Sequence, residues 1–187
     1  MYKSLLIILG IIYLAPNGFS KKKTGYLAEP SKKDTETILR IQIFLDEKMF
    51  GPGKIDGQIG QFTRKAVAHY NFGYNLKYDN YYKVINESKV AIDELFTSYI
   101  IKEEDLKFVG EVSLEPAEQA EIDYLYYRSI LEFVAERFHS DEKYIAKINP
   151  EIDWEEITVD TVIKVPNVTP FKIENIKKEN LIIYIHY

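Results

Sequence analysis

No cysteine occurs among the 187 residues. That absence excludes disulfides, thiolate metal sites, lipid attachment at a cysteine and every mechanism built on a cysteine nucleophile. Long apolar runs are scarce too: the stretch from Leu5 to Leu14 falls well short of the roughly 20 residues that span a bilayer. An excess of positive charge is also missing. The formal net charge is −5 and basic residues alternate with acidic ones, so no broad cationic face exists to neutralise a phosphate backbone, and nucleic acid is not an expected partner. Histidine is sparse, and His69, His139 and His186 stand in separate segments without the spacing of a zinc site, so no metal and no cofactor is expected. Adjacent acids such as Glu103-Glu104 and Glu155-Glu156 have the side chains of glycosidase chemistry, but neighbouring carboxylates in loops imply no substrate cleft. Catalysis by this chain alone is therefore not expected.

What is present fits a folded protein with room for one ordinary domain or two small ones, with 46% hydrophobic and 28% charged residues. The chain carries 15 tyrosines, whose apolar rings and polar tips suit wet interfaces and sugar-stacking surfaces as well as ordinary half-buried packing. Residues 1–20 read as a cleaved secretory signal: Lys3 precedes the apolar stretch, and Gly18 and Ser20 supply small residues for cleavage. The mature chain is expected to be periplasmic or secreted, without stable membrane insertion. Residues 21–34, opening on Lys21-Lys22-Lys23, read as a polar, flexible leader.

The first structured unit spans 35–75. Asp34 or Thr35 can cap a helix whose Ile38, Ile41, Leu45 and Met49 recur every three or four residues, predicting a helix to about Phe50. Gly51-Pro-Gly then stops it. Asp56-Gly57 signals a turn and Gly60 allows a positive φ, after which Thr63, Ala66, Val67 and Tyr70 mark a second amphipathic helix closed by Asn71 to Gly73. The expected product is a helical hairpin around a glycine-rich loop. Ile41-Gln42, Leu45, Gly53, Ile55-Asp56-Gly57, Gly60, Thr63 and Ala66-Val67 together resemble, in order and spacing, the peptidoglycan-binding domain 1 family. The resemblance implies a glutamine that hydrogen-bonds loop backbone, isoleucine anchors, and peptidoglycan as ligand. These residues also suffice merely to hold a hairpin together, so the candidate contacts are the exposed Gln58 and Gln61, with Tyr70 a further candidate whose register also fits the core.

Residues 76–122 read as a connector with some order, rich in strand formers from Leu95 to Ile101. Phe96-Thr97, Tyr99 and the run from Glu104 to Gly110 are similar to the linker of multidomain L,D-transpeptidases of the Verrucomicrobia type. The second unit spans 123–167. Leu131, Val134, Ala135 and Phe138 form one helical face, Asp141 caps a shorter helix carrying Tyr144, Ile145 and Ile148, and Val162 to Pro166 alternates like a strand. With a strand placed at 123–127 the order is strand, helix, helix, strand, and the fold class is mostly helical α+β. Tyr127, Ala135, Phe138, Asn149-Pro150, Ile152 and Val165-Pro166 resemble a LysM domain, a glycan-binding module. Arg128-Ser129-Ile130 stands where that family commonly has Gly-Asp-Thr, and Asp160-Thr161 replaces its Pro-Gly. Carried over by position, the groove residues are Arg128, Ser129, Ile130 and Leu131 on one side and Asn149, Pro150, Glu151, Ile152 and Asp153 on the other. Residues 168–187 end in the apolar Leu181 to Tyr187, which reads as a strand that joins a sheet or opens a missing catalytic domain. The expected function is noncatalytic peptidoglycan binding. The alternatives are the front half of an L,D-transpeptidase and a secreted protein-interaction module. The oligomeric state is not legible.

Overall fold

A computed structural model of the chain describes residues 25–111, 117 and 126–170. The signal, the first part of the leader, residues 123–125 of the expected strand and nearly all of the C-terminal tail lie outside the described residues. The fold is mixed, mostly helical α+β with one small antiparallel sheet, as the residue pattern predicts.

Helix α1 spans Thr35–Glu47, and the Asp34 carboxylate accepts the Thr37 amide at 3.2 Å, meeting one of the donors a helix start leaves unpaired. Ile38, Ile41 and Leu45 are buried as their spacing requires, but Met49 is not. The helix ends earlier than the periodicity suggests. Met49 takes a left-handed φ of 63°, the Phe50 amide donates to Leu45 O at 2.9 Å, and the Met49 amide donates to Asp46 O at 2.8 Å. This is a Schellman closure with methionine where glycine is usual. Met49→Gly is therefore expected to stabilise the protein by about 1 kcal/mol, read as a rise in the urea midpoint at unchanged slope.

Helix α2 spans Gln61–Phe72 and buries Thr63, Ala66, Val67 and Tyr70, the four residues of its predicted face. Its N-cap, Gly60, has a φ of −96°, so this glycine adopts ordinary extended backbone and not the positive φ expected of it. Helix α3, Tyr82–Ala91, packs against both α1 and α2 through Val84, Ile85 and Ser88, turning the expected hairpin into a three-helix unit. Residues 25–29 are tied to this unit. Asn80 receives the Leu27 amide at 3.2 Å and donates to Gly25 O at 3.0 Å, while Glu29 and Arg64 form a two-pronged ion pair at 2.7 and 2.8 Å.

Strand β1, Phe96–Ile100, pairs antiparallel with β2, Val162–Pro166, with Phe96 opposite Pro166 and Ile100 opposite Val162. Of the strand expected at 123–127 only Tyr126 and Tyr127 are described, and the strand paired with β2 among the described residues is β1. Tyr127 makes only an isolated bridge to Val109, whereas β1 lies about thirty residues earlier and satisfies the ladder along the whole of β2. A short helix α4, Glu103–Leu106, follows β1, and its buried Asp105 accepts from Tyr99 Oη at 2.7 Å and from the Lys102 amide at 2.8 Å. Helices α5, Ile130–Arg137, and α6, Glu142–Ile148, start at the side-chain caps Ser129 and Asp141. Val134, Ala135, Phe138, Tyr144 and Ile145 are buried, and Leu131 and Ile148 are partly buried at the margin of the core.

The buried apolar residues from Leu39 to Ile92, Ile101, and those from Ile130 to Val168 form one continuous cluster. Polar contacts cross between the same two regions. The Ile55 amide donates to His139 O at 2.8 Å, Ser140 Oγ donates to Ile55 O at 2.6 Å, and Lys54 meets Asp141 at 2.5 Å.

Candidate functional site

The loop between α1 and α2 is built around a fully buried glutamine. Gln42 Nε2 donates to Lys54 O and Gln58 O, both at 3.0 Å, and its Oε1 accepts the amides of Asp56 at 3.2 Å and Gly57 at 2.8 Å. One side chain thus meets four backbone groups that would otherwise be orphaned beneath the turn. Asp56 Oδ1 accepts the Gln58 amide at 2.8 Å, an Asx turn, and Thr63 Oγ1 donates to Pro52 O at 3.0 Å. Gly57 holds a φ of +70°, and a Cβ there would lie 2.4 Å from Thr35 Cγ2, so no larger residue fits. Ile55 is fully buried beneath the turn and Ile59 packs against the core margin.

Above this brace lies a shallow hollow of about 360 Å³ lined by Lys54, Asp56, Gln58, Ile59, Phe62 and Thr63. Gln58 and Gln61 are both exposed, as expected. Phe62, not singled out by its sequence position, is 64% exposed at the edge of the same hollow and offers an apolar face. The signal available in the sequence was an aromatic residue placed off the Thr63, Ala66, Val67 and Tyr70 face, directly after the glycine loop.

Tyr70 is not part of this surface. It is only 3% exposed and forms the floor of a separate hollow of about 830 Å³ between the C-terminal ends of α1 and α2 and one side of α3. Phe44 and Phe50 meet its ring edge-on at 5.6 and 5.4 Å, and Tyr74 tilts against it at 5.2 Å. Its hydroxyl donates to Glu87, which also accepts from Lys83. Burial alone would raise the Glu87 carboxyl, but the hydrogen bonds from Lys83 and Tyr70 outweigh it and hold the group below the usual range.

Among the second set of candidates, the structure assigns several residues structural tasks. Arg128 sits 2.6 Å from Glu132 and 3.9 Å from Glu142, bridging the first turns of α5 and α6. Ser129 caps α5 by accepting the Glu132 amide at 3.1 Å, Ile130 is buried, and Leu131 is partly buried. Asn149 is buried and knits α6 to β2: it donates to Ile145 O and Lys164 O, both at 2.9 Å, and accepts the Lys164 amide at 2.8 Å. Pro150, Glu151 and Asp153 are exposed and Ile152 is half-buried, so the accessible part of this set is the loop 150–153.

His139 faces Asp46 across the junction of the two regions, with Nδ1 2.8 Å from Oδ2. Asp46 holds the imidazolium above the ordinary histidine range, against a smaller opposing effect of burial. A raised folded-state value means that the pair contributes fully below about pH 6.5 and that this contribution fades as pH rises through the folded value. Thermal melts from about pH 6 to about pH 8.5 are expected to fall, and Asp46→Asn is expected to flatten that slope. No group of three or more His, Asp or Glu among the described residues is placed to hold a metal ion, and none of their helices is long and apolar enough to cross a membrane. No protein-family model matches the chain, and no curated protein matches it either.

Proposed function

We propose that this chain is a noncatalytic peptidoglycan-binding protein of the bacterial cell wall, exported by its N-terminal signal. The observation that carries the reading is the Gln42 brace. A buried glutamine satisfying both strands of a glycine turn gives a rigid loop, and rigidity lowers the entropy lost when a polymer settles on it. That loop presents Gln58 for hydrogen bonding beside the exposed Phe62 ring, a pairing of polar and apolar contacts that suits an amide-rich, sugar-bearing polymer. Two short helices, α5 and α6, leading into β2, whose ladder partner β1 comes earlier in the chain and is followed by the extra helix α4, are what support a LysM-like second region, with loop 150–153 its accessible candidate contact.

The test is co-sedimentation of the mature chain with purified insoluble peptidoglycan. Wild-type protein is expected in the pellet, and Gln58→Ala combined with Phe62→Ala is expected to weaken retention about tenfold at unchanged melting temperature. A wild-type chain that stays in the supernatant would overturn the proposal.

A further inference from the structure

The hollow over Tyr70 carries more than packing. Its walls combine Phe50 and Tyr74, 37% and 52% exposed, with Val90, which is 88% exposed on α3. Apolar side chains left this open in a patch rimmed by Lys48, Asn86 and Glu87 mark a contact surface more often than a packing fault. The rings are also held in place. The Lys83 ammonium lies 3.9 Å from the Tyr74 ring centroid while pairing with Glu87, and Glu87 accepts from Tyr70 below. One cation thereby fixes an acid and two aromatic residues before any ligand arrives, so little side-chain freedom remains to be lost on binding.

We infer that this hollow is a glycan subsite that takes a short stretch of N-acetylated hexosamines, distinct from the loop surface at Gln58 and Phe62. The choice of sugar rests on the peptidoglycan reading above; the choice of glycan over peptide rests on the lining. Pyranose rings present an apolar face to aromatic side chains and hydroxyls at their edges, which matches Phe50 and Tyr74 flanked by Asn86 and Glu87. A carboxylate keeps lone pairs free after accepting two donors, so Glu87 can still accept sugar hydroxyls. Lys83 and Glu87 compensate each other, which leaves the floor balanced in charge and suited to a neutral ligand. Lys48 at the rim is the feature that would favour a carboxylated stem peptide instead. The volume of about 830 Å³ lies within the range of small-molecule sites.

The test is titration of the isotopically labelled full chain with the N-acetylglucosamine tetramer and, separately, with a sugar-free stem peptide, followed by amide shifts. The tetramer is expected to move Phe50, Tyr74, Glu87 and Val90. Phe50→Ala combined with Tyr74→Ala is expected to lower the melting temperature through the lost contacts to Tyr70 yet, titrated well below that melt, to raise the Kd about tenfold with the remaining amide spectrum unchanged, whereas Ile152→Ala leaves these shifts in place. Shifts in this hollow from the stem peptide alone, or an unchanged Kd in the double variant, would overturn the glycan assignment. Retention on whole peptidoglycan without saccharide shifts overturns the subsite alone; loss of retention together with the shifts overturns the wall-binding reading as well.

Discussion

Gln42→Ala is expected to destabilise the protein by about 3 to 4 kcal/mol and to weaken retention on peptidoglycan by at least the roughly tenfold expected from removing Gln58 and Phe62. Four backbone groups lose their partner at once, and two of them, the Asp56 and Gly57 amides, are donors facing the interior. An unmet buried polar group costs about 1 to 3 kcal/mol, and the vacated volume adds a cavity cost. Gln42→Glu is the sharper variant. It keeps the volume and the two acceptor contacts but turns the donor end into a second acceptor, facing Lys54 O and Gln58 O. It is expected to destabilise by at least as much near neutral pH and to recover partly in acid, when the carboxyl is protonated and can donate. Urea denaturation of the three proteins at about pH 7 and about pH 4.5 measures this, and a Gln42→Ala midpoint equal to wild type would contradict the bracing role.

Residues 112–187 expressed alone are expected not to fold, even though they contain α5, α6 and β2. The missing piece is β1. Without Phe96–Ile100, β2 loses its whole ladder, and Ile163 and Val165, both fully buried, face water on one side. Ile101 goes with it: it is fully buried and exchanges hydrogen bonds with Asp160 at 2.8 Å and Thr161 at 3.0 Å. So does the Tyr99 ring, edge-on to Phe138 at 5.2 Å. Losing the burial of side chains of this size costs about 2 to 5 kcal/mol each, a loss comparable to the roughly 5 to 15 kcal/mol that stabilises an ordinary domain. Circular dichroism of the fragment should show no cooperative melt, while the full chain, with one continuous core, should unfold in a single transition. A sigmoidal melt from the fragment would show that β1 is dispensable.

The helices were legible because their apolar spacing is local: Ile38, Ile41 and Leu45, then Thr63, Ala66, Val67 and Tyr70, reach the core as the pattern requires. The Gln42 contacts were legible in outline through the resemblance, whose pattern asks for a glutamine that bonds loop backbone, and burial of that polar side chain makes such partners obligatory. The end of α1 was not, since a methionine in the left-handed region carries no signal of its own and Gly51-Pro-Gly drew attention two residues too far. The pairing of β2 was also hidden. Both Leu95 to Ile101 and the segment before Arg128 are rich in strand formers, and sequence alone does not say which one crosses to Val162. The ties from Gly25, Leu27 and Glu29 to Asn80 and Arg64 leave no periodic trace, so a segment that reads as a loose leader is fastened by single polar side chains. The loop candidates Gln58 and Gln61 proved exposed, while Tyr70 turned out to be the floor of a different hollow, because the features that define that hollow, Phe50, Tyr74 and Val90, come from three separate elements.

The most direct test of wall binding by the braced loop is amide-shift mapping with a soluble muropeptide fragment carrying both sugar and stem peptide. Shifts are expected at residues 53–63, centred on Gln58 and Phe62, and are expected to vanish in Gln42→Ala. A fragment that binds the chain while leaving those amides unmoved would contradict it.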